Sequence, residues 1–258
     1  MTHDGRRRAV LAIDTATTHV VIAAGTPEGV ADGVSTWTAG YRHGETLLPT
    51  IGRFLGEQNI RRSRLVGIVV GTGPGAFTGL RVGIATAKGL AHGLGIPLVG
   101  VSTAEALIEA FEAAEAAVAV AEGLDGPAAP SVLLLPAGPR DRLIVRVGSA
   151  PVPLPAGEEP ELAAGERLVA VDLDGRAPDD AIARGEKARS GLGQAILRAG
   201  AAKLAAISAG AAAGAAGAGN APADRPASEL ETLVPDYVTL PRGVRATGGA
   251  VEWSRDPR

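Results

Sequence analysis

The chain has 258 residues, enough for one large domain or two lobes around real cores. Lys and Arg number 25 against 28 Asp and Glu, and the net charge of −3 gives no electrostatic footprint for nucleic acid. There is no cysteine, which excludes disulfides, thiolate nucleophiles and cysteine-ligated zinc.

Residues 9–14 and 19–25 read as strands. Thr15 to Thr18 joins them, a loop short enough for an antiparallel hairpin. Over 45–56, Leu47, Leu48, Ile51, Phe54 and Leu55 recur at helical spacing, and Pro49 suits a first turn starting near Thr46. A strand over 65–71, a helix over 79–93 and a strand over 96–101 follow. Ser102 and Glu105 form a capping box that opens a helix to about residue 121. The turn-rich stretch 122–130 divides the chain into lobes of residues 1–121 and 122–258. Beyond it, 131–136 and 142–148 read as a second hairpin, 149–161 as a loop, 167–175 as a short strand and 190–208 as a helix. The Ala/Gly/Pro-rich stretch 209–228 reads as flexible, 235–240 as a last strand and the tail from Arg242 as disordered. With 36 glycines, 18 prolines and only 3% aromatics, the core is left to Val, Leu, Ile and Ala. No segment has the length and hydropathy of a membrane span, and the N-terminus lacks a signal-type apolar region. The expectation is a cytoplasmic α/β protein with mixed sheets and a hairpin opening each half.

The most informative stretch is LVGIVVGTGPGAFTGLRVGIATAKGL, residues 65–90. A strand ends at Gly71, Gly73, Pro74 and Gly75 make a turn, and Thr78 is placed to cap the next helix. Such a turn aims backbone N–H groups at one spot, where they hold an anion or pack against a neighbour. Gly71-x-Gly73-x-x-Ala76 matches the dinucleotide pattern loosely, but no ribose-binding carboxylate ends the next strand and Pro74 removes a donor. No Gly-Lys-Ser/Thr occurs, so a Walker loop is excluded. Asp14, Thr15 and Thr17 at the first hairpin tip read either as a magnesium or phosphate contact or as an Asx-type turn. His3, His19, His43 and His92 are too far apart for a helical metal pair, and His43 reads as a surface or capping residue. On the helix 79–93, Gly79, Gly83, Ala87, Ala91 and Gly95 make one row of small residues, and Ala85, Gly89 and Gly93 a second. One row suits close packing on the helix's own sheet, the other a contact with another subunit.

LAIDTATTHVVIAA, HGETLLPTI and GTGPGAFTGLRVGIATAKGLAHGLGIPLVGVSTAEAL together resemble the TsaB (YeaZ) family of tRNA threonylcarbamoyladenosine biosynthesis proteins. The likeness covers roughly residues 9–107; the second half matches only in outline, through a hairpin, a late helix and Pro235-Asp236-Tyr237. The resemblance implies the two-lobed actin/hexokinase/Hsp70-type (ASKHA) fold. It also implies a non-catalytic subunit that activates a TsaD-like catalytic paralogue, with a TsaE-like ATPase as further partner. The tRNA is reached only through that complex, no membrane is involved, and a homodimer is the alternative assembly. Carried over by motif, Asp14, Thr15, Thr17, Gly73, Pro74, Gly75 and Thr78 form a weak or vestigial ATP/ADP site. The pairing face falls on the two early helices, at Leu47, Leu48, Ile51, Leu55, Gly83, Ala87, Leu90 and Ala91. No cofactor, metal ligand or catalytic residue is implied.

Two features bear on that reading. The catalytic paralogue binds metal through His-x-x-x-His, whereas residues 100–105 here contain no histidine. The family's second-lobe hairpin resembles Asp-Ala-Arg-x-x-Glu-Val-Tyr, whereas residues 135–144 lack the Glu and Tyr and carry prolines. Two competing readings remain: an ATP-using enzyme of the same fold with Asp14 holding magnesium, and a glycopeptidase, for which the chain offers neither metal set nor nucleophile motif.

Overall fold

A computed structural model describes residues 7–38, 43–123, 129–138, 140–217, 229–230, 232–236, 244–247 and 250–253. The first sheet contains β1 (Ala9–Asp14), β2 (His19–Gly25), β3 (Ala31–Thr38), β4 (Leu65–Gly71) and β5 (Leu98–Val101), ordered β3-β2-β1-β4-β5. β1, β2 and β3 pair antiparallel, while β4 lies parallel to both β1 and β5. The second sheet contains β6 (Ser131–Pro136), β7 (Arg142–Val145), β8 (Val152–Leu154) and β9 (Arg167–Ala170), ordered β8-β7-β6-β9. β6 pairs antiparallel with β7 and parallel with β9, repeating the plan around β1.

The helices are α1 (His43–Glu57), α2 (Phe77–Leu94), α3 (Thr103–Glu122) and α4 (Asp179–Gly217). Alternation along β1 sorts its side chains between two cores. Leu11 and Ile13 pack with Leu47, Ile51, Phe54 and Leu55 of α1 and Ile84, Ala87 and Ala91 of α2. Val10 and Ala12 face a middle layer in which α3 (Leu107, Ile108, Phe111) and α4 (Leu192, Ile196, Leu197) lie between the sheets; Leu133, Leu135 and Val169 close it from the far side. The two glycines Gly185 and Gly200 make this layer thin. A Cβ on Gly185 would sit 1.8 Å from the Ala170 carbonyl oxygen, and one on Gly200 2.2 Å from Val69. A third cluster, with Val132, Leu134, Ile144 and Leu168, covers the outer face of the second sheet.

Several elements differ from the sequence expectation. β3 is absent from the sequence reading because ADGVSTWT lacks an apolar run; only its alternating half-burial and the Gly29 turn (φ 88°) mark it. β8 occupies part of the stretch read as a loop. α1 starts at His43 rather than near Thr46, which puts Pro49 inside the helix. α2 starts at Phe77 after Ala76, so Thr78 lies exposed in the first turn and is not the cap. α4 runs from 179 to 217 instead of 190–208, and the stretch read as flexible from 209 is helical to Gly217; 218–228 lie outside the described residues. α4 packs against both sheets. Pro235 and Asp236 are not in a strand, and 237–240 are outside the described residues. In the tail read as disordered, β10 (Val244–Thr247) and β11 (Ala250–Trp253) form an antiparallel pair.

Candidate functional site

The glycine turn and the first hairpin tip meet at the C-terminal ends of β1 and β4. Asp14 is 1% exposed, and both its oxygens are engaged. The Ala16 amide donates to Oδ1 at 3.0 Å and the Thr103 hydroxyl donates to Oδ2 at 2.6 Å. That local pattern is an Asx-type turn, with the side chain bonding backbone two residues on. Thr103 ties the turn in from the other side: its Oγ1 accepts from the Gly73 amide at 3.1 Å, and its amide donates to the Gly73 carbonyl at 2.8 Å. Ser102 caps α3 as expected, accepting from the Glu105 amide.

Contacts between the two loops are tight. The Ala76 amide donates to the Ala16 carbonyl at 2.7 Å, and the Thr15 hydroxyl to the Gly79 carbonyl at 2.8 Å. A Cβ on Gly75 would lie 2.1 Å from the Ala16 carbonyl oxygen, and one on Gly83 2.2 Å from Thr15 Oγ1. Thr17 is buried and exchanges hydrogen bonds with the His19 backbone. Pro74 is buried, while Gly75 and Thr78 are exposed. The predicted cradle residues Asp14, Thr15, Gly73 and Gly75 are therefore brought together, and their polar groups are bonded by neighbours outside the predicted set: Ala16, Thr103 and Gly79. Burial pushes the Asp14 carboxyl up to about 6; the Thr103 and Ala16 hydrogen bonds pull against that, and the Asp172 charge adds to it.

Sequence reasoning missed the partner across the lobes. Asp172, just after β9 with φ 58°, accepts from the Thr18 amide at 2.7 Å and from the Thr18 hydroxyl at 2.6 Å. Arg189 of α4 pairs with it at 3.1 Å, both side chains nearly buried, and also donates to His19 Nδ1. Because Arg only donates, Nδ1 is the acceptor here. No local signal marks Asp172, since its role depends on a contact 154 residues away in the chain. At the hairpin tip the oxygens of Asp14, Thr103, Ala16 and Asp172 accept from the amides of Ala16, Gly73, Ala76 and Thr18, so those four donors are already engaged within the chain. A hollow of about 560 Å³ opens beside it, at the ends of β4 and β5, lined in part by Thr72, Ser102, Glu105, Lys203, Glu229 and Asp236. Its three carboxylates repel phosphate, and Lys203 is spent on the Gly100 carbonyl at 2.7 Å. Among the described residues no group of three His, Asp or Glu side chains could hold a metal ion.

The expected pairing face separates into inner and outer rows. Leu47, Ile51, Leu55, Ala87 and Ala91 are at most 3% exposed, inside their own core. Gly83 packs on Thr15. These six are corrected from interface to core: the apolar stripe of α1 and the first small row of α2 are what holds both helices on the sheet. Leu90 is half-buried in the same cluster. What faces outward is Leu48, 54% exposed, in line with Gly44, Gly52 and Gly56 on α1, and Ala85, Gly89 and Gly93 on α2. Nothing lies within 4 Å of a Cβ built on Gly44, Gly52, Gly56, Gly89 or Gly93. The side chain of His43 lies outside the described residues.

The order of elements and the two mixed sheets with paired helices between them define an α/β protein of the ASKHA class. The crystal structure of an uncharacterized protein with similarity to peptidase YeaZ from Pseudomonas aeruginosa shares the fold, with a TM-score of 0.54 at 23% identity over 90% of this chain and 100% of that one. The family model described as TsaD, tRNA N6-adenosine threonylcarbamoyltransferase, matches residues 17–141. The TsaB protein of Escherichia coli is 34% identical over 104 residues, covering 36% of this chain and 40% of that protein. An uncharacterized protein of Mycobacterium leprae is 44% identical over 106 residues, covering 38% of this chain and 28% of that protein. Over the matched segment the chain is TsaB/YeaZ-like, as its motifs lead one to expect. The matches span less than half the length of each of these curated relatives. Among the described residues no helix is long and apolar enough to cross a membrane.

Proposed function

We propose that this chain is a non-catalytic subunit in the biosynthesis of threonylcarbamoyladenosine in tRNA, acting by docking onto a TsaD-type catalytic paralogue. A TsaE-type ATPase joins the assembly, and a homodimer through the same face is the competing arrangement. The observation that carries the reading is the outer face of α1 and α2. It combines one exposed leucine, Leu48, with five glycines that carry no side chain to hold a second helix pair away. Covering Leu48 contributes up to about 2 kcal/mol to such a contact. The closed Asp14 cradle supports a vestigial rather than a working nucleotide site, and the likeness to TsaB proteins supplies the pathway.

Co-elution with a TsaD-type partner on gel filtration tests the reading. Leu48→Arg abolishes the complex and leaves the melting temperature of the isolated chain unchanged. A complex that survives Leu48→Arg removes this face from the interface. ATP turnover by the pure chain alone, lost in Asp14→Asn, would instead establish the enzymatic reading.

A further inference from the structure

The net charge of −3 conceals a concentration of arginine at one end of the first sheet. β1 and β4 are parallel neighbours in a register that sets Ala9 against Leu65. The residues just before them, Arg8 and Arg64, therefore start adjacent strands about 5 Å apart. Arg64 closes a 3-10 turn, its amide donating to the Arg61 carbonyl at 2.8 Å. The turn Arg62–Arg64 follows Arg61 directly, so three arginines fall within four residues just before β4. Arg7 completes the group. Its guanidinium pairs with Asp32 at 3.2 Å. Glu28 also lies at this end, its carboxyl held below its usual range by the Thr26 hydroxyl first, and also by the charges of Arg7 and Arg8. Arg53 and Glu57 on the last turns of α1 neutralise each other. Arg8, Arg61, Arg62 and Arg64 make no side-chain hydrogen bond or ion pair among the described residues, and Arg8, Arg61 and Arg62 are exposed.

Like charges gathered this way oppose folding and serve no core. We propose that the arginines 7, 8, 61, 62 and 64 form a contact for the phosphate backbone of RNA. Guanidinium forks suit phosphate oxygens, and the net negative charge of the whole chain gives a polyanion no general attraction outside such a cluster. The patch adjoins the outward row of α1, which runs through Gln58 to Ile60 into the 3-10 turn. RNA bound to a partner on that helix meets the arginines. Naming the RNA as tRNA rests on the proposed function.

Fluorescence anisotropy of an unmodified tRNA transcript, titrated with the reconstituted complex between 50 and 200 mM salt, tests the contact. Arg61→Glu with Arg62→Glu weakens binding about tenfold or more and lowers the log–log salt slope by about 1.5. Arg140→Glu, an exposed reversal in the second lobe, changes affinity less than about twofold, as a residue outside the patch should. If the double variant matches Arg140→Glu, the RNA contact is overturned. If it loses the partner protein while tRNA affinity holds, the patch receives a protein and the RNA proposal also fails. If the unaltered chain does not co-elute with the partner, the proposed function fails, and the same tenfold criterion is then applied to the full chain alone.

Discussion

Asp14 concentrates the residue-scale physics. Its carboxyl is buried, accepts two hydrogen bonds and faces Asp172, and the cost of burying the charge outweighs the bonds that favour it. A folded-state value of about 6 against 3.8 means that the native state holds the proton more tightly than the unfolded chain. Between those values the native state binds more protons, so this group's contribution to stability falls as pH rises from about 4 to about 6. Asp14→Asn removes that slope. The stability difference between the two proteins shifts by about 2–3 kcal/mol in favour of the variant from pH 4 to pH 7, whatever the constant offset from altered hydrogen bonding. Urea unfolding at several pH values reads this directly; a difference independent of pH would mean that Asp14 is solvated. Gly71 is the complementary case. A Cβ there would lie 1.8 Å from Asp14 Oδ2, so Gly71→Ala forces the carboxylate or the strand end to move and costs about 3 kcal/mol in denaturant unfolding.

At the scale of elements, α2 shows how one helix serves two neighbours. Its first small row lets the backbone approach Thr15 and the sheet, and its second row lies open. The two rows respond oppositely to substitution. Gly83→Ala collides with Thr15 and destabilises the chain. Gly89→Ala meets no atom within 4 Å and replaces a poor helix former, so it stabilises the isolated chain by about 0.5–1 kcal/mol. If the outward row packs against another helix pair, that same methyl weakens the complex. A melting temperature that rises while partner affinity falls identifies an interface. A rise with unchanged affinity places the contact elsewhere.

Across the whole molecule, the two sheets are joined by the α3–α4 layer and by polar contacts that include a clasp on Asp172. Thr18 and Arg189 converge on Asp172, with side-chain exposures of 11% and 7% for the ion pair. Truncating one partner leaves the other charge buried and unpaired. Asp172→Ala therefore costs about 3–5 kcal/mol, whereas combining it with Arg189→Met recovers part of that loss. Equal destabilisation in the single and double variants would show that the pair acts independently of burial. On the proposed function, loss of this chain in cells is expected to lower threonylcarbamoyladenosine in tRNA, which nucleoside analysis measures; an unchanged level would overturn that function.

Local patterns made much of the first lobe legible. Apolar runs marked β1, β2 and β4, helical spacing marked α1, and Ser102 with Glu105 marked the start of α3, because each signal lies within a few residues. The motif of residues 71–78 likewise located the meeting point of turn and hairpin. What the sequence determined by itself was therefore the likeness to TsaB proteins and most elements of the first half. Which way they face was decided only in three dimensions. Leu47 and Leu48 are adjacent apolar residues, yet one is core and the other surface, because the sheet selects one stripe of α1. Thr103 and Asp172 close the cradle from positions 89 and 154 residues away from their partners Asp14 and Thr18. The arginines at 7–8 and 61–64 become one patch only through strand register. Each of these depends on burial and pairing between distant segments, and no local pattern in a chain encodes such contacts.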